Sequence, residues 1–266
     1  MKIEVKYAMQ ILKELYDYRQ MIYSLVRKDL RGRYKGSVLG FLWTFINPLL
    51  QLVIYTIVFS IILRAGIDKF YLYLFVALVP WIFFQTSITG GSASIHSQQD
   101  LIKKIYFPRE VIPISYVTSC FVNMLFSFVV IFIVVAFSGV HIKLLGLLCL
   151  PIIMFVEYIL ALGFAMIASA VTVYFRDLEH ILGIVTMAWM YLTPIMYPIE
   201  MVPENLRKIF MLNPMTPIIT AYRDILYYGT IPHINTLLNG FLLGVVTLVI
   251  GFAVFGKLKR HFAEEL

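Results

Sequence analysis

The fold class this sequence predicts is all-α: a polytopic membrane protein with six transmembrane helices, an amphipathic N-terminal interface helix and re-entrant outer gate helices between spans five and six. Three observations carry the prediction. Six long apolar runs fill most of the 266 residues. Hydrophobic residues make up 61% of the chain and charged residues only 14%, against about 25% charged in a soluble domain, and the mean hydropathy is +0.85. The 22 Lys and Arg crowd onto one set of connecting loops. About 20 apolar residues cross roughly 30 Å of hydrocarbon as a helix, whereas an open strand there leaves backbone groups unpaired at several kcal/mol each.

The elements follow in chain order. In residues 1–37, Ile11, Leu15, Tyr18, Ile22, Leu25 and Val26 share one helical face, with Lys13, Asp17, Ser24 and Arg27 opposite. This predicts a helix lying along the cytoplasmic membrane surface, serving as a plain anchor or also docking a cytosolic partner. The spans are Val38–Leu63, Tyr71–Ile88, Pro113–Phe137, Leu144–Val173, Ile181–Tyr197 and Leu237–Phe255. The transmembrane domain is thus 38–256, and 257–266 is a cytoplasmic tail. With both termini, the 90–112 loop and the 174–180 loop on one side, that side carries 16 Lys and Arg against six opposite, which places both ends in the cytoplasm. No cleavable signal peptide is expected, because the first 37 residues lack an isolated apolar core followed by small residues. Cys120 and Cys149 fall inside spans and imply no disulfide.

Between spans, Gly90-Gly91 and the prolines at 108 and 113 should bracket a short helix, in a protruding cytoplasmic element or an ordinary connecting loop. In the outer 198–235 segment, Pro203-Glu204 starts one short helix. Thr216 can cap a second with Pro217 at its first position, and Gly229 can end it. Residues 217–228 are too apolar for a free loop and too short to span, so they either re-enter the outer leaflet or lie on it. Asn47-Pro48 should bend the first span. Trp81 and Tyr197 read as members of the outer aromatic belt.

The chemistry of soluble catalysts is missing: there is no phosphate loop, zinc signature or nucleophile elbow, and no metal site is expected. Glu157 is the one acid inside a span, a site for function or for a structural hydrogen bond. Aromatic residues away from the interfaces, Phe45, Tyr55, Phe59, Trp189 and Tyr191, can line a channel, or simply face lipid and neighbouring helices.

Four segments carry a resemblance covering nearly the whole chain. They are 30–49 (LRGRYKGSVLGFLWTFINPL), 104–113 (KIYFPREVIP), 174–178 (YFRDL) and 213–223 (NPMTPIITAYR). In this order and spacing the chain resembles the type-2 ABC transporter permeases that export polysaccharides, such as O-antigen, capsule or wall teichoic acid. The resemblance implies a permease that dimerises with a second copy and pairs with two separate ABC ATPase subunits in a bacterial plasma (inner) membrane. It carries an undecaprenyl-pyrophosphate-linked glycan to the outer face, while ATP and Mg are bound on the partner chains and none on this one. It also implies contacts to the ATPases at Asp29, Arg31, Arg33 and Tyr34, at Lys103, Lys104, Arg109 and Glu110, and at Arg176 and Asp177. Asn213, Pro214, Tyr222 and Arg223 fall in its outer gate. The alternatives are a type-2 permease for a small lipid or drug, a stand-alone membrane channel or scaffold, and a membrane-bound lipid-modifying enzyme. For the enzyme no convergent acid, base or metal groups are found.

Overall fold

The structure, a computed structural model, describes residues 13–33, 35–62 and 66–265, among which there is no strand. Its helices are α1 (Arg19–Gly32), α2 (Trp43–Thr56), α3 (Phe70–Ser97), α4 (Gln99–Lys104), α5 (Val111–Ser138), α6 (Leu144–Tyr174), α7 (Leu178–Tyr191), α8 (Glu204–Leu212), α9 (Met215–Leu226), α10 (Ile234–Leu258) and α11 (Phe262–Glu265). A 3-10 turn, Gly40–Leu42, leads into α2, and a π-helical stretch, Ile57–Ile62, continues it. Pro48 lies inside α2.

Five stretches are long and apolar enough to cross a membrane: Gly40–Ile62, Phe70–Lys104, Val111–Ser138, Leu144–Tyr174 and Ile234–His261. They match five of the six expected runs, and the chain is a multi-pass membrane protein. The run Ile181–Tyr197 departs from expectation. There α7 stops at Tyr191 after 14 residues, a rise of about 21 Å, and the backbone continues through turns and bends over 192–197. Pro194 is the local cause, since it lacks an N–H and disfavours helical backbone at the residue before it.

At the centre is α3, which packs against α2, α5, α6, α7 and α9. Leu72, Leu74, Phe75, Val76, Ala77 and Leu78 have no exposed surface, as befits a helix that is apolar on every side. Trp81 is also fully buried, with its ring 5.6 Å from that of Phe84. It therefore belongs to the interior and not to the outer aromatic belt, because its helix is enclosed all round.

Gly90 and Gly91 were expected to end that helix, yet α3 runs through both to Ser97. Their role is close packing. A Cβ on Gly90 would lie 1.8 Å from the Tyr116 hydroxyl oxygen, and one on Gly91 would lie 3.0 Å from the Cβ of Ala165. The same logic joins α6 to α10, where Gly240, Gly244 and Gly251 are buried on one face. A Cβ on Gly251 would meet the Gly163 carbonyl oxygen at 2.5 Å. Small residues let apolar helices approach where no hydrophobic drive separates helix from lipid.

The amphipathic pattern of α1 is present, but its apolar face meets protein. Leu15, Tyr18, Ile22 and Leu25 are half-buried against the core and Val26 is buried, with α5 as the packing partner. Ile11 lies outside the described residues. Helix α9 begins at Met215, one residue before the expected Thr216 cap. The Asn213 side chain provides the capping oxygen instead, accepting from the Met215 N–H at 3.0 Å, while Thr216 Oγ1 donates to the Phe210 carbonyl at 2.8 Å. Gly229 follows the end of α9 at φ 65°, where a Cβ would also lie 2.5 Å from the His141 carbonyl oxygen.

Candidate functional site

Two polar clusters stand out against the apolar bundle, one in each half of it. At the end where α1 packs on α5, Arg33 follows α1 and donates through Nε to Asp29 Oδ2 at 2.8 Å. Its Nη2 reaches Ser119 Oγ and Cys120 Sγ on α5, each at 3.1 Å, and its guanidinium carbon sits 5.5 Å from the Tyr116 ring centroid. Ser119 in turn donates to Asp29 Oδ2. Burial opposes the Arg33 cation, but Cys120, Asp29 and Tyr116 outweigh it, and its pKa is raised above the ordinary arginine value. Asp29 and Arg33 thus fasten α1 to α5 and fix the angle at which α1 leaves the bundle.

Arg109 and Glu110 also turn inward. Arg109 donates to the Lys259 carbonyl and lies 5.8 Å from the Phe262 ring centroid. The Lys259 ammonium pairs with Glu110, whose side chain is only 2% exposed. Tyr174, at the end of α6, donates to the Leu258 carbonyl at 2.8 Å, and Phe262 packs on Phe255. The loop after α4, the end of α6 and the C-terminal segment therefore form one knot. Neither Lys259 nor Phe262 was legible as a partner, because nothing in sequence spacing relates residues about 150 positions apart.

The other residues expected at the ATPase contact stay on the surface. Lys103 and Lys104 close α4 beside a cavity of about 710 Å³ that Tyr106, Arg109 and Arg260 also line. Arg31 shares a second concavity, about 650 Å³, with Tyr23, Arg27, Lys28 and Lys35. Arg176 and Asp177 are exposed in the turn before α7. Tyr34 lies outside the described residues.

In the other half of the bundle, Tyr222 on α9 donates to Glu157 Oε2, near the middle of α6, at 2.7 Å, and both residues are fully buried. Arg223, placed with Tyr222 in the expected outer gate, is only 5% exposed. Its Nη1 and Nη2 donate to the carbonyls of Pro194 and Ile195, and its Nε donates to the Tyr73 carbonyl at 3.4 Å. Its guanidinium carbon lies 3.6 Å over the Tyr73 ring, a cation–π contact. Asn213 donates to the Leu192 carbonyl at 3.1 Å and to Thr193 Oγ1 at 2.8 Å, and Trp189 Nε1 donates to it at 3.0 Å. Pro214 sits directly before α9.

The aromatic candidates separate into two groups. Trp189 is half-buried, edge-on to Phe84 and Phe164 at 5.2 Å each, while Tyr191 is 54% exposed. Phe45, Tyr55 and Phe59 are half-buried along the α2 stretch, with Phe59 stacked on Phe70 at 6.0 Å. Of these, Trp189 is held in the helix packing and Tyr191 faces out.

The Glu157 contact makes a direct prediction. Glu157→Gln retains an acceptor for Tyr222 and should lower stability by no more than about 1 kcal/mol. Glu157→Ala strands the buried hydroxyl and opens space, and should cost about 3 kcal/mol. Thermal unfolding of the detergent-solubilised protein measures both, and equal losses would remove the bond from the account.

Comparison with known proteins adds the following. The family model described as "ABC-2 type transporter" matches residues 20–227. The O-antigen export system permease protein RfbA of Myxococcus xanthus is 34% identical over 263 residues, covering 97% of this chain and 99% of that protein. The protein of the same name from Klebsiella pneumoniae is 34% identical over 268 residues, with full coverage of both chains. The polysialic acid transport protein KpsM of Escherichia coli is 22% identical over 87% of this chain and 91% of its own length.

Proposed function

The chain belongs to the ABC-2 type transporter family, and on that premise we propose that it is the permease subunit of an ATP-driven exporter of lipid-linked polysaccharide. The observation that carries this reading is the full-length similarity to O-antigen export permeases. The cargo is an undecaprenyl-pyrophosphate-linked glycan such as an O-antigen, moved from the cytoplasmic to the outer face of a bacterial plasma membrane. Two copies of the chain line the path, and ATP is bound and hydrolysed with Mg on two partner ATPase subunits. Apolar side chains exposed on α2 and α7 give a second copy a surface to pack on. The α2 stretch leaves Val53, Ile54, Ile57, Ile61 and Ile62 exposed, and α7 leaves Ile184, Val185 and Met187 exposed.

In this reading residues 1–37 form the interface element, 38–256 the transmembrane domain and 257–266 the tail, with both termini cytoplasmic. Helix α7 with the turns after it makes the fifth of six crossings, and α8 and α9 are the outer gate, re-entering from the outer face. Lys103, Lys104, Arg31, Arg176 and Asp177 meet the ATPases directly. Asp29, Arg33, Arg109 and Glu110 act behind them by holding α1 and the α4 loop against the bundle. ATP-driven closure of the ATPases then moves these elements together, and a population shift of this kind needs several kcal/mol of differential affinity.

The test is co-purification and turnover. The permease should bring down an ABC ATPase, and in proteoliposomes the ATPase rate should respond to an undecaprenyl-linked glycan. Lys103→Glu together with Lys104→Glu should reduce ATPase recovery at least ten-fold while the permease stays in the membrane. Unchanged recovery would remove α4 from the contact. A rate that responds to a small lipid and not to the glycan would favour a lipid permease.

A further inference from the structure

Helix α7 breaks off inside an apolar run, and although the Ala188, Trp189 and Met190 carbonyls are served within its last turn, the Tyr191 carbonyl and those of the non-helical backbone after it have no intrahelical donors. Unpaired backbone groups are tolerated at such depth only when protein satisfies them. Here side chains do so one carbonyl at a time. The Tyr197 hydroxyl donates to the Tyr191 carbonyl, Asn213 donates to that of Leu192, and Arg223 donates to those of Pro194 and Ile195. Three of these four carbonyls are served from the 213–223 segment. Asn213 uses its whole capacity at this point: two donors go to Leu192 and Thr193, and two acceptor positions receive Trp189 and Met215.

The segment doing this is itself anchored. Tyr222 bonds to Glu157 on α6, Arg223 bonds to Tyr73 on α3, and α9 is buried along most of its length. The two ends of α7 therefore differ sharply. Within the helix the buried residues are Thr186 and Met190, and Thr193, Pro194, Ile195 and Met196 beyond it are also buried. None of residues 178–185 is buried. Gly183 lies in this half with nothing within 4 Å of where its Cβ would be, so no close packing accounts for a residue that weakens a helix.

We propose that Asn213 and Arg223 are positioning residues that pin the outer end of α7 to the bundle, so that α7 pivots there and its cytoplasmic half swings. This deepens the proposed function, because it identifies which part of the path wall moves and which part stays. The pivot sits at the gate end, and the moving end begins at the exposed Arg176-Asp177 turn. A lysine at 223 would offer a point charge in place of a planar fork and could not hold two carbonyls at once in the same way.

Hydrogen–deuterium exchange on the full-length permease in lipid nanodiscs tests the pivot without any ATPase, so its outcome is independent of the export assay. In the wild type, amides of 178–186 should exchange at least ten-fold faster than those of 187–197. Arg223→Met and Asn213→Asp should each accelerate 187–197 about ten-fold or more and leave 234–258 unchanged. Arg223→Lys should fall between these and the wild type, and Glu157→Gln, which does not touch α7, should leave 187–197 as it was. Equal exchange of the two halves of wild-type α7 overturns the proposal even if a variant fails to fold. So does unchanged protection of 187–197 in both Arg223→Met and Asn213→Asp.

Discussion

Gly251→Val is expected to abolish recovery of folded protein or to cost about 3 kcal/mol or more, the upper range for overpacking a close-fitted interior. The new Cβ would sit 2.5 Å from the carbonyl oxygen of Gly163 and 3.1 Å from its Cα. Both are backbone atoms and cannot rotate away, so α6 and α10 would have to separate along their whole contact. Gly240→Ala is the matched control. It lies on the same face of α10, but its nearest neighbours, side-chain atoms of Ile218 and Val156, are at 3.6 Å. That substitution should be neutral or gain up to about 1 kcal/mol from helix propensity. Monodisperse yield and thermal midpoint measure the contrast, and a Gly251→Val protein as stable as Gly240→Ala would refute the α6–α10 packing.

Removal of the Lys259 ammonium comes next in size. Glu110 is almost completely enclosed, its Oε1 pairs with Lys259, and its Oε2 has no hydrogen-bond partner among the described residues. Lys259→Met leaves that carboxylate buried without its counter-charge, a loss of about 3 kcal/mol. Glu110→Leu combined with Lys259→Met removes both charges and should restore most of the stability, because replacing a buried pair with apolar groups is often neutral. The double-mutant cycle should therefore show a coupling of about 2 kcal/mol. Coupling near zero would mean that the C-terminal segment is not held by this pair. Loss of the pair should also free the α4 loop, so ATPase recovery is expected to fall in Lys259→Met and to return in the double variant.

Much of the architecture was legible because crossing hydrocarbon imposes strict length and polarity requirements. The runs that became α3, α5, α6 and α10 were placed to within a few residues at most ends. The clearest exception is α3, which extends nine residues past Ile88 because Gly90 and Gly91 serve packing against Tyr116 and Ala165. Glycine is equally suited to ending a helix and to admitting a neighbour, and composition does not distinguish the two. The motif around 213–223 was found, but the partners of its arginine were not. Nothing in the motif shows that Arg223 serves carbonyls about 30 and 150 residues away in the chain.

What the sequence by itself determined is the apolar, all-helical character and the crossings that need about 20 uninterrupted apolar residues. These properties are set by solvent and are local to each segment. Only the tertiary structure decided that α7 stops short, that Asn213 and Arg223 serve the carbonyls of the backbone beyond it, and that Asp29, Arg33, Arg109 and Glu110 first serve to hold the bundle together. Each of those outcomes depends on pairing a buried polar group with a partner distant in the chain. Residue order fixes which donors exist but not which carbonyls they meet.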